Sequence, residues 1–377
     1  MSGTLRAASL ILLAALAAAP SARAVQPAPT NAEAALAPAA ARQVAESLAS
    51  TVERLFVFPE VGRRYAAALR AHASAGDYDR LSGRTALAEA LTRDVQAVQA
   101  EGHFRVFAAP PPAPGRPAAG GAAPPQLIEE ARMLAPGIFY LRPTIFTGQA
   151  EEIQAIERFL DAAEAGSART LIIDMRVHRG GGLDEMDAIN RRIFARPTRL
   201  LIMDTRAAAD GELPFTDGPT LRRASAPAEL VRREHWAVPR AGGSPLARAN
   251  VFLLVSGYTV SAGEHFALAL QRTHRAVLIG AGTQGAGNFG TLAPLGEGFS
   301  AFIGIGRTYD PDTGEGWEGT GLNPDIEVPA PRALVEALVR SGVAPDEAER
   351  LSASVAPTGS MELRPGRPIP HPRPRTP

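Results

Sequence analysis

The residues with the clearest chemical potential lie in one segment, Ser256-Gly257-Tyr258-Thr259-Val260-Ser261-Ala262-Gly263-Glu264-His265. The apolar run Val251 to Val255 ends just before it, and helical spacing begins at Ser261, so this serine stands where a strand turns into a helix. There a hydroxyl faces outward, and the N–H groups and dipole of the helix favour developing negative charge. Nucleophilic catalysis would use such a serine. A helix cap would use it equally well, since Ser261-x-x-Glu264 is a capping-box pattern. A nucleophile elbow of the G-x-S-x-G type is disfavoured, because position 259 is threonine.

A serine nucleophile needs a base. The chain has no lysine, so all 39 of its basic residues are arginine, whose guanidinium stays protonated. The base must come from the seven histidines. His265 lies one turn beyond Ser261, and His178 falls in Asp174-Met175-Arg176-Val177-His178-Arg179-Gly180-Gly181-Gly182, where a buried strand runs into three glycines. Glycines after a strand let backbone N–H groups approach a ligand or an oxyanion. A phosphate loop is excluded, since it needs the lysine of G-x-x-x-x-G-K-[ST]. A third segment, Trp317 to Val328, is a Gly/Pro turn leading to an edge strand, and Asp310 to Gly314 reads as a turn because Gly314 occupies a calcium-ligand position. No metal or cofactor is implied. With no cysteine, thiol catalysis and disulfides are excluded.

These residues need elements to hold them. Residues 1–24 read as an export signal: Arg6, an apolar run from Ala7 to Ala19, and Ala22-Arg23-Ala24 with cleavage after Ala24. That run is short for a membrane span. Residues 25–40 form an Ala/Pro lead-in, 41–107 a helical domain and 108–125 a Pro/Gly/Ala linker. Residues 126–345 alternate strands and helices, with strands at 138–141, 171–176, 251–255 and 276–279 and helices at 151–165 and 261–271, which predicts an α/β core. The stretch 207–248 reads as an irregular insertion or a flap, and 346–377 as a mostly disordered tail. Acidic and basic residues balance at 39 each, so neither nucleic acid nor an anionic membrane is a predicted partner. A periplasmic or secreted protein is expected, of unspecified oligomeric state.

Taken together, the motifs resemble the S41 peptidase family of tail-specific and C-terminal processing proteases, nearest its interphotoreceptor retinoid-binding-protein-like and tricorn-core-like branch. Asp174-Met175-Arg176 with Gly180-Gly181 looks like that family's D-L-R-x-N-x-G-G. Thr259 to Glu264 looks like T-x-S-A-x-E, and Trp317 to Asp325 like W-E-G-x-G-x-x-P-D. Val57 to Glu60 and Glu101 to Val106 are similar to the helical region preceding the core. The resemblance implies a crotonase/ClpP-like spiral core, with Ser261 as nucleophile, His103 as base, Glu318 orienting His103, and the N–H groups of Gly181 and Ala262 as the oxyanion hole. Three features depart from the family: its lysine position is Ala286, the asparagine of its strand–glycine motif is His178, and the linker leaves no room for a PDZ domain. His265 and His178 are the alternative bases, while His72, His235, His274 and His371 are expected to be structural or solvated. The implied function is hydrolysis of a peptide or protein substrate through an acyl-enzyme. A non-catalytic binder of apolar molecules, or a hydrolase of another ester or amide, are the alternatives.

Overall fold

Two six-stranded sheets form the frame, and the site depends on where their strands end. The computed structural model describes residues 36–81, 83–108, 126–213 and 215–362. The expected signal, most of the lead-in, the linker from 109 and the tail beyond 362 lie outside the described residues. Among those described, no helix is long and apolar enough to cross a membrane.

Three helices come first: α1 (Pro38–Leu55), α2 (Pro59–Ser74) and α3 (Arg84–Val98). Pro38 and Pro59 occupy the first helical position, where the N–H a proline lacks would have no partner. Val44, Leu48, Val52 and Leu55 make one buried stripe on α1. The short strand β1 (Arg105–Phe107) then follows His103.

Next come β2 (Ile128–Ala135), β3 (Ile138–Pro143), α4 (Ala150–Ala165), β4 (Thr170–Asp174) and α5 (Asp184–Ile193). They are followed by β5 (Thr198–Arg206), β6 (Leu221–Ala224), β7 (Leu230–Ala237), β8 (Asn250–Val255), α6 (Ala262–Arg272) and β9 (Val277–Gly280). The hairpin β10 (Asn288–Gly296) and β11 (Phe299–Tyr309), then β12 (Ile326–Glu327), α7 (Ala333–Arg340) and α8 (Pro345–Ser354), complete the chain.

One sheet runs β12-β9-β8-β4-β3-β2, parallel except for β2 at its edge. Alternate residues of β4 face opposite layers. Leu171 and Ile173 pack with α4, α5 and α6, and Ile172 packs with α7. Asp174 is in register with Leu254, so the glycine segment and the Ser261 turn leave the sheet side by side. Both lie at carboxyl ends of parallel strands, where open α/β sheets bind ligands. The other sheet runs β1-β11-β5-β7-β6, with β10 also paired to β11. The helical region shares a core with Ala301, Ile303 and Ile305 of β11, and β1 pairs Arg105 with Phe302.

Two expectations need correction. The segment 207–248 is not irregular throughout, for β6 and β7 within it form a hairpin that extends the second sheet. The inward positions of β7 are Arg233, His235 and Ala237, so its alternation is invisible as hydrophobicity. The packed structure also passes the expected boundary at 345, because α8 buries Ala348 and precedes buried Val355.

The end of β4 is fixed by a buried ion pair. Asp174 accepts from Arg176 Nε (2.9 Å) and Nη2 (2.6 Å) and from the Tyr140 hydroxyl, and Arg176 Nη1 donates to the Ala330 carbonyl (2.9 Å). Burial works to raise the Asp174 pKa, but Arg176 and Tyr140 outweigh it and hold it below the usual range. Arg176→Leu would strip that buried carboxylate of its closest charge, leaving only the Tyr140 hydroxyl and the longer ion pair with Arg142 (3.8 Å). A loss of about 3–5 kcal/mol in denaturant unfolding is expected, and a loss below about 1 kcal/mol would remove the anchoring role.

Candidate active site

The Ser261 turn is stitched to the glycine segment before it reaches the serine. Ser256 Oγ donates to the Arg176 carbonyl (2.6 Å) and Thr259 Oγ1 to the Met175 carbonyl (2.8 Å). Ser261 itself has φ 59° and ψ −119°, a left-side conformation costing a non-glycine residue about 1–3 kcal/mol. Its N–H donates to Glu264 Oε2 (2.9 Å). The Glu264 carboxylate also accepts from Thr283 Oγ1 (2.6 Å) and from the N–H groups of Gly285 (2.6 Å) and Ala286 (3.0 Å). Burial pushes this carboxyl up to about 7, against the pull of those donors. The capping box is therefore present, with the Ser261 side chain toward the Glu264 N–H and the Glu264 side chain on the Ser261 N–H, and the serine in addition occupies a strained turn that a simple cap does not require.

The glycine segment lies against the serine. A methyl group on Gly180 would stand 2.8 Å from Ser261 Cβ, and one on Gly181 would fall 1.8 Å from the Phe146 carbonyl oxygen. The N–H of Gly180 donates to His178 Nδ1 (3.2 Å) and that of Gly182 to the Phe146 carbonyl (2.9 Å). Among the described residues, the N–H groups of Gly181 and Ala262 have no acceptor in the chain. For Ala262 this follows from its place at the first turn of α6.

The three candidate bases fall in different places. His103 and Ser261 both line a cavity of about 590 Å³. His103 stacks near Phe302 (ring centroids 5.3 Å apart) and precedes β1, whose pairing with β11 holds it toward the core. His178 is fully buried beneath the loop, edge-on to Phe146 (4.3 Å) and against Gly263, where it supports the glycine segment. His265 borders a smaller, largely apolar pouch of about 50 Å³ shared with Ser261, Met203, Phe215 and Trp317. Its Nε2 is hydrogen-bonded to His235 Nδ1 (2.8 Å), and His235 Nε2 to Asp187 Oδ1 (2.8 Å). His235 was expected to be structural or solvated, and it is fully buried. Nothing in its Arg/Glu-flanked setting signals that β7 turns it inward.

Glu318 reaches His103 from the Trp317 turn. Its Oε1 accepts from the Gly102 N–H (2.6 Å), and Oε2 from the N–H groups of Gly287 (2.6 Å) and Asn288 (2.9 Å). Glu101, missed as a site residue although it stands two positions before His103, is buried and accepts the His103 N–H (2.9 Å). Glu101, His103 and Glu318 each place a ligand-type atom within 4.8 Å of the others, a group that could hold a metal ion. Ala286, the family's lysine position, is fully buried, and a methyl on Gly102 would stand 2.8 Å from its Cα and Cβ. Leu213 and Phe215 of the 207–248 segment line the larger cavity, so part of that segment borders the site.

The description "Peptidase family S41" matches residues 137–328, and that of an N-terminal domain of this family in eukaryotic IRBP matches residues 33–138. A carboxy-terminal-processing protease of Bartonella bacilliformis is 37% identical over 196 residues. That alignment covers 52% of this chain and 39% of the relative, so the chain spans well under half the relative's length. Among solved structures, a photosystem II D1 C-terminal processing protease aligns with TM-score 0.50 and 14% identity, over 84% of this chain and 98% of that one. A Parabacteroides merdae protein aligns with TM-score 0.53 and 15% identity, over 85% and 98%. These likenesses bear out a mixed α/β core preceded by a helical region.

Two measurements follow from the geometry. Gly181→Ala must relieve a backbone clash at φ 124°, whereas a methyl on Gly182 meets nothing within 4 Å. Urea unfolding should show Gly181→Ala destabilised by about 1–3 kcal/mol relative to Gly182→Ala, and equal stabilities would contradict the close approach. Burial, and secondarily the charge of His235, holds the His265 pKa well below 6.5. The unfolded chain then binds the proton first, so stability falls as pH drops below about 6.5, by up to about 1.4 kcal/mol per pH unit. His265→Gln should flatten that slope in melting curves between about pH 7.5 and 5, and an unchanged slope would place the acid sensitivity elsewhere.

Proposed function

Because the chain belongs to peptidase family S41, we propose that it is an exported serine peptidase that cleaves peptide bonds through an acyl-enzyme. The observation that supports this reading is the shared cavity, lined by His103, Gly181 and a serine in a strained turn, with the N–H groups of Gly181 and of Ala262, next to the serine, free of an acceptor among the described residues. In this reading Ser261 Oγ attacks the scissile carbonyl while a ring nitrogen of His103 takes its proton. The N–H groups of Gly181 and Ala262 stabilise the oxyanion, and His103 returns the proton to the leaving amine. Water, deprotonated by the same imidazole, then releases the acyl group. Glu318, held by three backbone donors, would orient His103 and stabilise its charged form. Export rests on residues 1–24, and the mature chain would begin at Val25.

A second assignment of the base is favoured by one observation: His265 also shares a pouch with Ser261 and is backed by His235 and Asp187. Its Nε2 is already engaged and its protonation is opposed by burial, so His103 is preferred. Fluorophosphonate labelling with peptide-cleavage assays tests both. Ser261→Ala should abolish labelling and reduce kcat by on the order of 10⁶, with less than about 1 kcal/mol change in stability. His103→Ala should remove activity, and His265→Ala should retain much of it. Full activity in His103→Ala would move the base to His265. An adduct on another residue would overturn the serine assignment, and binding of apolar ligands without any adduct would favour the non-catalytic reading.

A further inference from the structure

Arg179 lines the cavity that holds Ser261 and His103, and apart from His103 it is the one basic side chain among the described residues lining it. The other arginines of this neighbourhood are neutralised within the chain. Arg176 is paired with Asp174, and Arg142 with Glu129 (2.8 Å). Among the described residues no carboxylate lies within ion-pair distance of the half-buried Arg179 guanidinium, and no hydrogen bond engages it. The cavity's acid, Asp184, lies against Gly148 and forms no ion pair with Arg179. Arg179 also borders a second cavity of about 570 Å³, whose acids Glu129 and Glu130 are taken by Arg142 and Arg132. The loop fixes the backbone of this residue at the cavity edge, for the Arg179 N–H donates to the Thr144 carbonyl (2.7 Å) and Gly180 and Gly181 follow directly.

A guanidinium presents five N–H donors in a planar fork that matches a carboxylate bidentately. In a partly enclosed cavity, leaving it unpaired is costly. We infer that Arg179 is a specificity-determining residue that binds a carboxylate of the substrate beside the scissile bond. The inference rests on the peptidase reading and adds the substrate's chemistry to it. The carboxylate is either an acidic side chain or the free α-carboxylate of the substrate, two sources of one chemistry.

The test uses matched fluorogenic peptides that carry Glu or Gln at each position flanking the cleaved bond, with a free or an amidated C-terminus. For the full chain, kcat/KM should favour one acidic form over its neutral partner by about 10- to 100-fold, the range of a charged hydrogen bond. Discrimination at a Glu/Gln pair identifies a side chain, and discrimination at the acid/amide pair identifies the chain end. In Arg179→Gln, which keeps the main-chain bond to Thr144, the ratio should fall to within about twofold, while Arg179→Lys should keep part of it. Anisotropy titrations of the same pairs against Ser261→Ala, alone and with Arg179→Gln, read recognition without turnover. A wild-type ratio near one, or a ratio that Arg179→Gln leaves unchanged, overturns the inference. Absence of cleavage in every arm instead strikes the peptidase reading, and the binding ratio then still decides the role of Arg179.

Discussion

The buried carboxylate of Glu264 is the point on which the site's geometry turns. It accepts the Ser261 N–H and three donors from the 283–286 loop, so one group fixes both the serine's turn and the loop facing it. Isolated in an apolar interior, a carboxylate would be strongly disfavoured. Here the donors are mostly backbone N–H groups, which no substitution other than proline removes. The strained dihedrals of Ser261 persist because this network over-determines them.

From that loop the constraint passes to the segment that carries His103. Ala286 packs against Gly102, and Glu318 accepts from Gly102 on one side and from Gly287 and Asn288 on the other. A chain without lysine cannot place an ammonium at position 286, and the close contact with Gly102 fills the space such a side chain would need. The helical region brings His103 to the same wall, next to Gly102 and within reach of Glu318.

Much of this was legible in the sequence where chemistry coincides with periodicity. The strand before Ser261, the glycine segment and the helices at 150–165 and 262–272 all follow from apolar spacing. What stayed hidden was polar and inward. In β7 the buried positions are arginine, histidine and alanine, which defeats any hydrophobic pattern, so His235 and its link to His265 were missed. Glu101 escaped for a different reason: its role comes from a hydrogen bond to the backbone of His103, which depends on the turn's conformation and not on residue type. The strand β2 and the hairpin of β10 and β11 were not predicted. Exposed or glycine-rich positions interrupt their alternation.

The division of the site between two sheets has a physical consequence. Ser261 and the glycine segment belong to the carboxyl ends of the parallel sheet, while His103 is held by the pairing of β1 with β11 in the other. Three residues of β1 are a weak attachment on their own. Their hold depends on the shared core of the helices with Ala301, Ile303 and Ile305, and on the Val57 N–H bound to the Gly304 carbonyl (2.9 Å). Hydrophobic packing far from the serine therefore governs where the imidazole stands in the shared cavity, and a void opened in that core would be felt at the cavity wall before it unfolded the parallel sheet.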